Sequence, residues 1–197
     1  TDLVYKGVVF NEMKGAMSSS VSTLWQTLTE HLYPTTTYHY NSGGEPEDIP
    51  DLSYEELIAF YEKHYHPSNA VFMTFGDIPA NEHQQKFEDK ALSHFKQLNE
   101  EIQVNKEQRY SEPKRVEASY ASDEEDSKDK THIVLGWLLG ESSSLLDMLR
   151  AHLMSSVLLD NSASPLRYVL ERTDLGTAPS PMCGLEDSNR EMSFMCG

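Results

Sequence analysis

The 197-residue chain carries 32 Asp and Glu against 16 Lys and Arg, a net charge of −16, with 38% apolar residues and 10% aromatic ones. That length and aromatic content specify a folded chain of one or two domains rather than a disordered one. The charge excludes nucleic acid as a partner, because phosphate recognition needs clustered Lys and Arg, and no apolar run approaches the ~20 residues that cross a bilayer, which excludes a spanning segment.

The first distinctive stretch is GVVFNEMKG, residues 7–15, in which Glu12 closes an apolar run. On the residues alone Glu12 is an interior acid held by hydrogen bonds, since a buried carboxylate is costly without them or a metal. From Glu12 to about Leu32, Met13, Met17, Val21, Leu24, Leu28 and Leu32 recur at intervals of three and four and predict one helix, ended by Pro34 and the threonines 35–37. The segment NSGGEP, 41–46, is too rich in Gly and Pro for regular structure. Ser53 with Glu56 three residues on is a capping-box pattern. It opens a helix striped by Tyr54, Leu57, Ile58, Tyr61 and Tyr65 and closed by Pro67.

Ala70 to Phe75 reads as a short buried strand, and Pro79 opens a helix that turns Phe87, Ala91, Phe95 and Leu98 inward. From Asn99 to Thr131 a charge run, ending in Asp123–Lys130, predicts an exposed linker or loop tip. THIVLGWLLG, 131–140, has apolar residues on both faces, as a central strand does. A helix follows over 145–159. Ser164-Pro165 then has the N-cap and first-turn pattern of a shorter helix ending near Gly176, and Arg190–Cys196 suits a strand. The pattern is two α+β units joined by an acidic connector.

Few residues announce chemistry by spacing. The eight histidines make neither HExxH nor HxxEH, the helical spacings that set two imidazoles on one zinc. His64 and His66 alternate as strand ligands would, yet they precede Pro67 at a helix end and read as structural. Glu30-His31 and Glu82-His83 lack the His that would complete a motif. Gly43-Gly44 has no phosphate-cradle signature, and the serine runs at 18–20 and 142–144 lack a nucleophile elbow. Cys183 and Cys196, without a CxxC, read as the reduced thiols of a soluble protein in a reducing compartment such as a bacterial cytoplasm or an organelle matrix.

Three stretches taken in order carry a resemblance: GVVFNEMKG (7–15), NSGGEPEDIPDLSYEELIAFYEKHYHPSNA (41–70) and SPLRYVLERTDLG (164–176). Together they resemble the presequence-protease and falcilysin branch of the pitrilysin/insulinase zinc metallopeptidases, the inverzincin type. The resemblance implies an α+β fold made of parts of two pitrilysin-type domains, each a largely antiparallel sheet with helices packed on it. Residues 1–112 are then expected to be the second half of a catalytic-type domain, 113–130 an acidic linker, and 131–197 the start of a second, non-catalytic domain.

In that family two His of an HxxEH helix and a distant Glu bind zinc, the Glu within HxxEH acting as general base. The resemblance makes Glu12 the distant ligand. The expected HxxEH lies several tens of residues before that position, and only eleven residues precede Glu12. The chain is therefore expected to be an internal piece of a longer zinc oligopeptidase that closes a four-domain chamber around unstructured peptides. By itself it is expected to be inactive and not to bind zinc. Its expected partners are peptide substrates, the remaining domains of the parent, and further copies of itself recruited by exposed strand edges. The alternative is a non-catalytic relative with a binding or structural role, as in core subunits of respiratory complexes, although such a relative has no chemical reason to keep Glu12.

Overall fold

The computed structural model of the protein describes residues 4–99, 102–122 and 128–197. Their backbone forms six α-helices and one three-stranded antiparallel sheet, the α+β class expected. The chain divides into two compact units, Thr1–Pro50 with Val104–Gly197, and Asp51–Gln103.

The larger unit is organised by the sheet. Strand β1 is Leu135–Glu141, β2 is Gly184–Glu186 and β3 is Glu191–Cys196, in the order β1-β3-β2. The central strand is therefore β3, in which all six residues are at most 8% exposed. The 131–140 stretch, expected to be central, instead starts its strand at Leu135 and lies at the edge, with Leu135 half exposed. Its apolar residues are explained by pairing on one side and helix packing, with no strand on the other side among the described residues. Cross-strand partners Trp137 and Phe194 bring their rings to 6.2 Å.

Helices cover the sheet. Helix α5, Leu145–Leu159, spans the residues its pattern predicts and packs against β1 and β2; α2, Ser20–Leu32, also meets β1. Two glycines in β1 admit these helices closely: a Cβ on Gly136 would stand 3.2 Å from Leu28 Cδ1, and one on Gly140 would stand 2.9 Å from Asp147 Cβ. Helix α6, Pro165–Arg172, starts at the expected proline but stops one turn before Gly176. Ser164 supplies its N-cap position, with no side-chain cap bond.

The single helix expected from Glu12 to Leu32 is two helices. Helix α1 runs Val8–Ala16, and α2 begins at Ser20 after a break at Met17–Ser19. Ser18 Oγ donates to the Gly15 carbonyl at 2.6 Å, a local bond that competes with the helical ladder and turns the chain.

The smaller unit is helical. Helix α3, Tyr54–His64, opens on the predicted capping box: Ser53 Oγ accepts from Glu56 N at 3.2 Å and Ser53 N donates to Glu56 Oε2 at 2.9 Å. Helix α4 is Ala80–Lys90, with Pro79 at its N-cap. Three expectations fail here. Helix α4 ends at Lys90, so Phe95 and Leu98, expected on its inward face, lie beyond it and are exposed. Ala70–Phe75 forms no strand among the described residues, and Val71 and Met73 are over 90% exposed. The aromatic stripe of α3 is likewise exposed at Tyr54, Leu57, Tyr61 and Tyr65. Apolar patterning selected the segments, but the described residues of this unit cover them only in part, Phe72 meeting the Phe87 ring of α4 at 4.8 Å.

The charge run is also divided. Residues 113–122 and 128–130 are irregular and exposed apart from half-buried Tyr120, while the acidic centre 123–127 lies outside the described residues. Further back, Glu107 is buried at 5% exposure. No helix among the described residues is long and apolar enough to cross a membrane.

Candidate functional site

Glu12, the one residue marked for metal chemistry by the sequence, sits in the middle of α1 and is exposed. The expectation of an interior acid is therefore corrected. The reason lies in the helix phase. Met13 and Met17, four residues apart, anchor α1 on one side: Met13 packs where a Cβ on Gly43 would collide. Both methionines line an open apolar cleft of about 390 Å³ with Val21, Trp25 and Met182. Glu12 is rotated away from that anchor. It shares its face with Val8, one turn earlier and exposed. Among the described residues its carboxylate has no hydrogen-bond or ion-pair partner, so nothing there compensates or competes for it.

The histidines do not converge on Glu12. His31 Nδ1 and His39 Nδ1 face the carbonyls of Thr27 (2.9 Å) and Glu30 (3.0 Å). His66 Nδ1 accepts from Ser68 N at 3.1 Å, and the His64 ring lies 4.2 Å from that of Phe60. These contacts suit the structural role read for His64 and His66. His152 Nε2 pairs with Asp187 Oδ2 at 2.8 Å on an exposed surface. Among the described residues no group of three or more His, Cys, Asp or Glu is placed to hold a metal ion. A catalytic zinc takes three protein ligands and keeps a fourth position for water. One carboxylate does not satisfy that requirement, so the described residues by themselves do not fit a zinc site.

The best-organised polar centre lies elsewhere in the larger unit, and spacing in the sequence did not disclose it. Glu107 accepts from Thr35 N at 3.0 Å, Thr35 Oγ1 at 2.7 Å, Thr36 N at 3.1 Å and Gln108 N at 2.7 Å. Its own N–H donates to Glu191 Oε2 at 2.6 Å. Arg109 Nη2 then reaches both Glu191 Oε1 and the Leu139 carbonyl at 2.6 Å, while Tyr33 Oη donates to the Glu191 carbonyl at 3.0 Å. Arg190 and Lys106 converge on Glu141 beside it. Burial pushes the Glu107 carboxyl up, but the hydrogen bonds from Thr35 and Gln108 outweigh it and hold the group below the usual range. Each buried charge is matched by donors or a cation, which is the arrangement of a structural network rather than a reactive one. It fastens the Val104–Arg109 segment to the loop after α2 and to the edge and central strands.

Comparison with known proteins places this geometry. A family model described as the Peptidase M16 inactive domain matches residues 51–195. Mitochondrial presequence protease of Xenopus tropicalis is 36% identical over 197 residues, 99% of this chain and 19% of that protein. The presequence protease of Mus musculus is 34% identical over 199 residues, 100% of this chain and 19% of its own length. Protein HypA of Clostridium perfringens is 29% identical over 194 residues, 98% of this chain and 20% of its own. The chain thus spans about a fifth of the length of the curated relatives it matches. The inactive-domain match begins after α1, so Glu12 falls outside it, whereas the likeness to the presequence proteases takes in nearly the whole chain. On these grounds the chain belongs to the M16 peptidase family, in its presequence-protease branch.

Proposed function

We propose that the chain is part of a zinc-dependent oligopeptidase that degrades unstructured peptides inside a closed chamber, and that Glu12 is one of its zinc ligands. The observation that carries this reading is 36% identity to a presequence protease across 197 residues, GVVFNEMKG included. The exposure of Glu12 supports it: a carboxylate presented to solvent, without a partner, is open to metal and histidines supplied by another part of a longer polypeptide. On this reading residues 1–112 complete a catalytic-type domain, 113–130 connect, and 131–197 begin a non-catalytic one. The missing HxxEH leaves this chain without a general base and without bound zinc. Its partners would be peptides and the rest of the parent, in a soluble compartment of an organelle or bacterium.

A second reading, a non-catalytic domain of binding or structural role, is favoured by the inactive-domain match over 51–195. The two separate on zinc. Elemental analysis of this chain after dialysis, beside Glu12→Gln, is expected to find no metal in either. The longer gene product is expected to bind stoichiometric zinc and to cleave an unfolded peptide, both lost in Glu12→Gln with its unfolding midpoint unchanged. A longer product that lacks HxxEH, or that keeps its zinc in Glu12→Gln, overturns the first reading.

Exposed edges also give the chain a propensity to associate with itself. Among the described residues no strand pairs with the outer edge of β1, and the 70–75 segment, apolar and in no sheet, is largely exposed. Light scattering at rising concentration is expected to show oligomers; a monodisperse monomer overturns this.

A further inference from the structure

The two cysteines, thirteen positions apart in sequence, are neighbours at one end of the sheet, Cys183 just before β2 and Cys196 at the end of β3. Strands β2 and β3 pair antiparallel, with Gly184 opposite Met195, Leu185 opposite Phe194 and Glu186 opposite Ser193. The ladder ends at Gly184, so Cys183 stands just outside it, beside the end of β3 at Cys196. The chains stay together beyond the ladder in a shifted register, through a turn in which Ser180 N donates to the Gly197 carbonyl at 2.7 Å. Gly197 N, the peptide nitrogen that follows Cys196, donates to Cys183 Sγ at 3.3 Å, and Cys183 Sγ lies 3.4 Å from the Gly197 carbonyl oxygen. A disulfide spans Cα atoms about 4.4–6.8 Å apart, and Cys183 Sγ in contact with the peptide nitrogen bonded to Cys196 sets the two residues side by side.

We propose that Cys183 and Cys196 form a redox-active dithiol, joined as a cross-strand disulfide by a small-molecule disulfide oxidant of the glutathione disulfide class.

The two thiols have different parts in this step. Cys183 is half-buried and Cys196 is buried, at 8% exposure. Burial first, and the nearby Cys183 second, push the Cys196 thiol up, which leaves it the poorer initial nucleophile. Cys183, as thiolate, attacks one sulfur of the oxidant; the oxidant's S–S bond breaks, a mixed disulfide forms and one small thiol leaves. Cys196 then gives up its proton and attacks the Cys183 sulfur, displacing the second small thiol. The protein loses two electrons and two protons, and the oxidant takes up both pairs to become two thiols. The product ties β2, an edge strand of three residues entered through Gly184 at φ +150°, to the central strand.

The test uses the chain incubated with oxidised glutathione, then unfolded and alkylated with iodoacetamide. The reduced chain has two cysteines to label. After oxidation both labels are expected to disappear, with peptides 183 and 196 found joined in unreduced digests. In Cys196→Ser the reaction is expected to stop at a glutathione adduct on Cys183, and folded Cys183→Ser is expected to take no adduct on Cys196. An oxidised wild-type chain that keeps both thiols, carries glutathione on each, or links to a second chain overturns the proposal, and this readout needs neither variant.

Discussion

Strand β3 and the segment Ala70–Phe75 make an instructive pair. Both are short, apolar and of the composition that strands favour. In β3 Met192 has no exposed surface, whereas Val71 in the other segment is 96% exposed. What differs is company. Strand β3 is flanked by β1, contributed from about fifty residues earlier, and by β2, while α5 packs on both of those neighbours. The 70–75 segment belongs to a unit whose described residues form helices and 3₁₀ turns only. Apolar sequence makes a residue suitable for a sheet, and the partners decide whether there is a sheet for it to enter.

The sharpest way to break this comparison is to truncate one methionine in each region. Met192→Ala removes a wholly buried side chain and is expected to cost about 3 kcal/mol, through lost transfer energy and the cavity left behind. Met73→Ala removes a side chain already in solvent and is expected to stay within about 0.5 kcal/mol. Urea unfolding followed by tryptophan fluorescence reports the first, because Trp25 and Trp137 both belong to the larger unit; far-UV circular dichroism reports the second. Equal costs would mean that the 70–75 segment is buried in solution, by self-association for instance.

The next effect tests the network that fastens residues 104–109. Glu107→Ala strands the N–H groups of Thr35 and Thr36 and is expected to cost about 2 kcal/mol at neutral pH. The carboxyl sits below its ordinary value of 4.5 in the folded chain. A carboxylate lowered by folding contributes stability that is fully present above its unfolded value and is lost as pH falls through its folded one. The advantage of wild type over Glu107→Gln is therefore expected to be flat above pH 4.5 and to shrink below it. A difference that grows on acidification would mean that Glu107 is not held as the carboxylate.

These two tests mark what the sequence made legible. Local grammar read well: α5 spans 145–159 as its pattern predicts, and the Ser53–Glu56 box closes as drawn. The non-local features were hidden. Glu107 stands in a charge run, and nothing adjacent to it tells that its donors come from Thr35 and Thr36 some seventy residues away. The break between α1 and α2 was missed because apolar spacing continues through it, while the serines at 18–20 divert the backbone. Glu12 was found through a resemblance spread over three stretches. Its exposure came from helix phase, since the methionines that anchor α1 turn the carboxylate outward.

The smallest expected effect belongs to the helical unit and tests whether local grammar alone holds it. Ser53 and Glu56 satisfy each other reciprocally, with Ser53 Oγ also donating to Glu56 Oε2 at 2.8 Å. The bonds from the Ser53 backbone and then its side chain hold the Glu56 carboxyl below its usual range. Loss of an N-cap side chain costs about 1 kcal/mol, with glycine nearly as good as serine at that position. Ser53→Ala is thus expected to lower the stability of α3 by about that amount, and Ser53→Gly to fall between it and wild type, read by far-UV circular dichroism through thermal unfolding. In a unit with a deep core such a loss would be diluted by packing. Here the stripe of α3 is exposed, so the cap is one of few contacts the helix has, and amide exchange is expected to accelerate throughout Tyr54–His64 in Ser53→Ala. Acceleration confined to the first turn would show instead that side chains beyond the cap hold the helix, and that the contrast with β3 is one of degree.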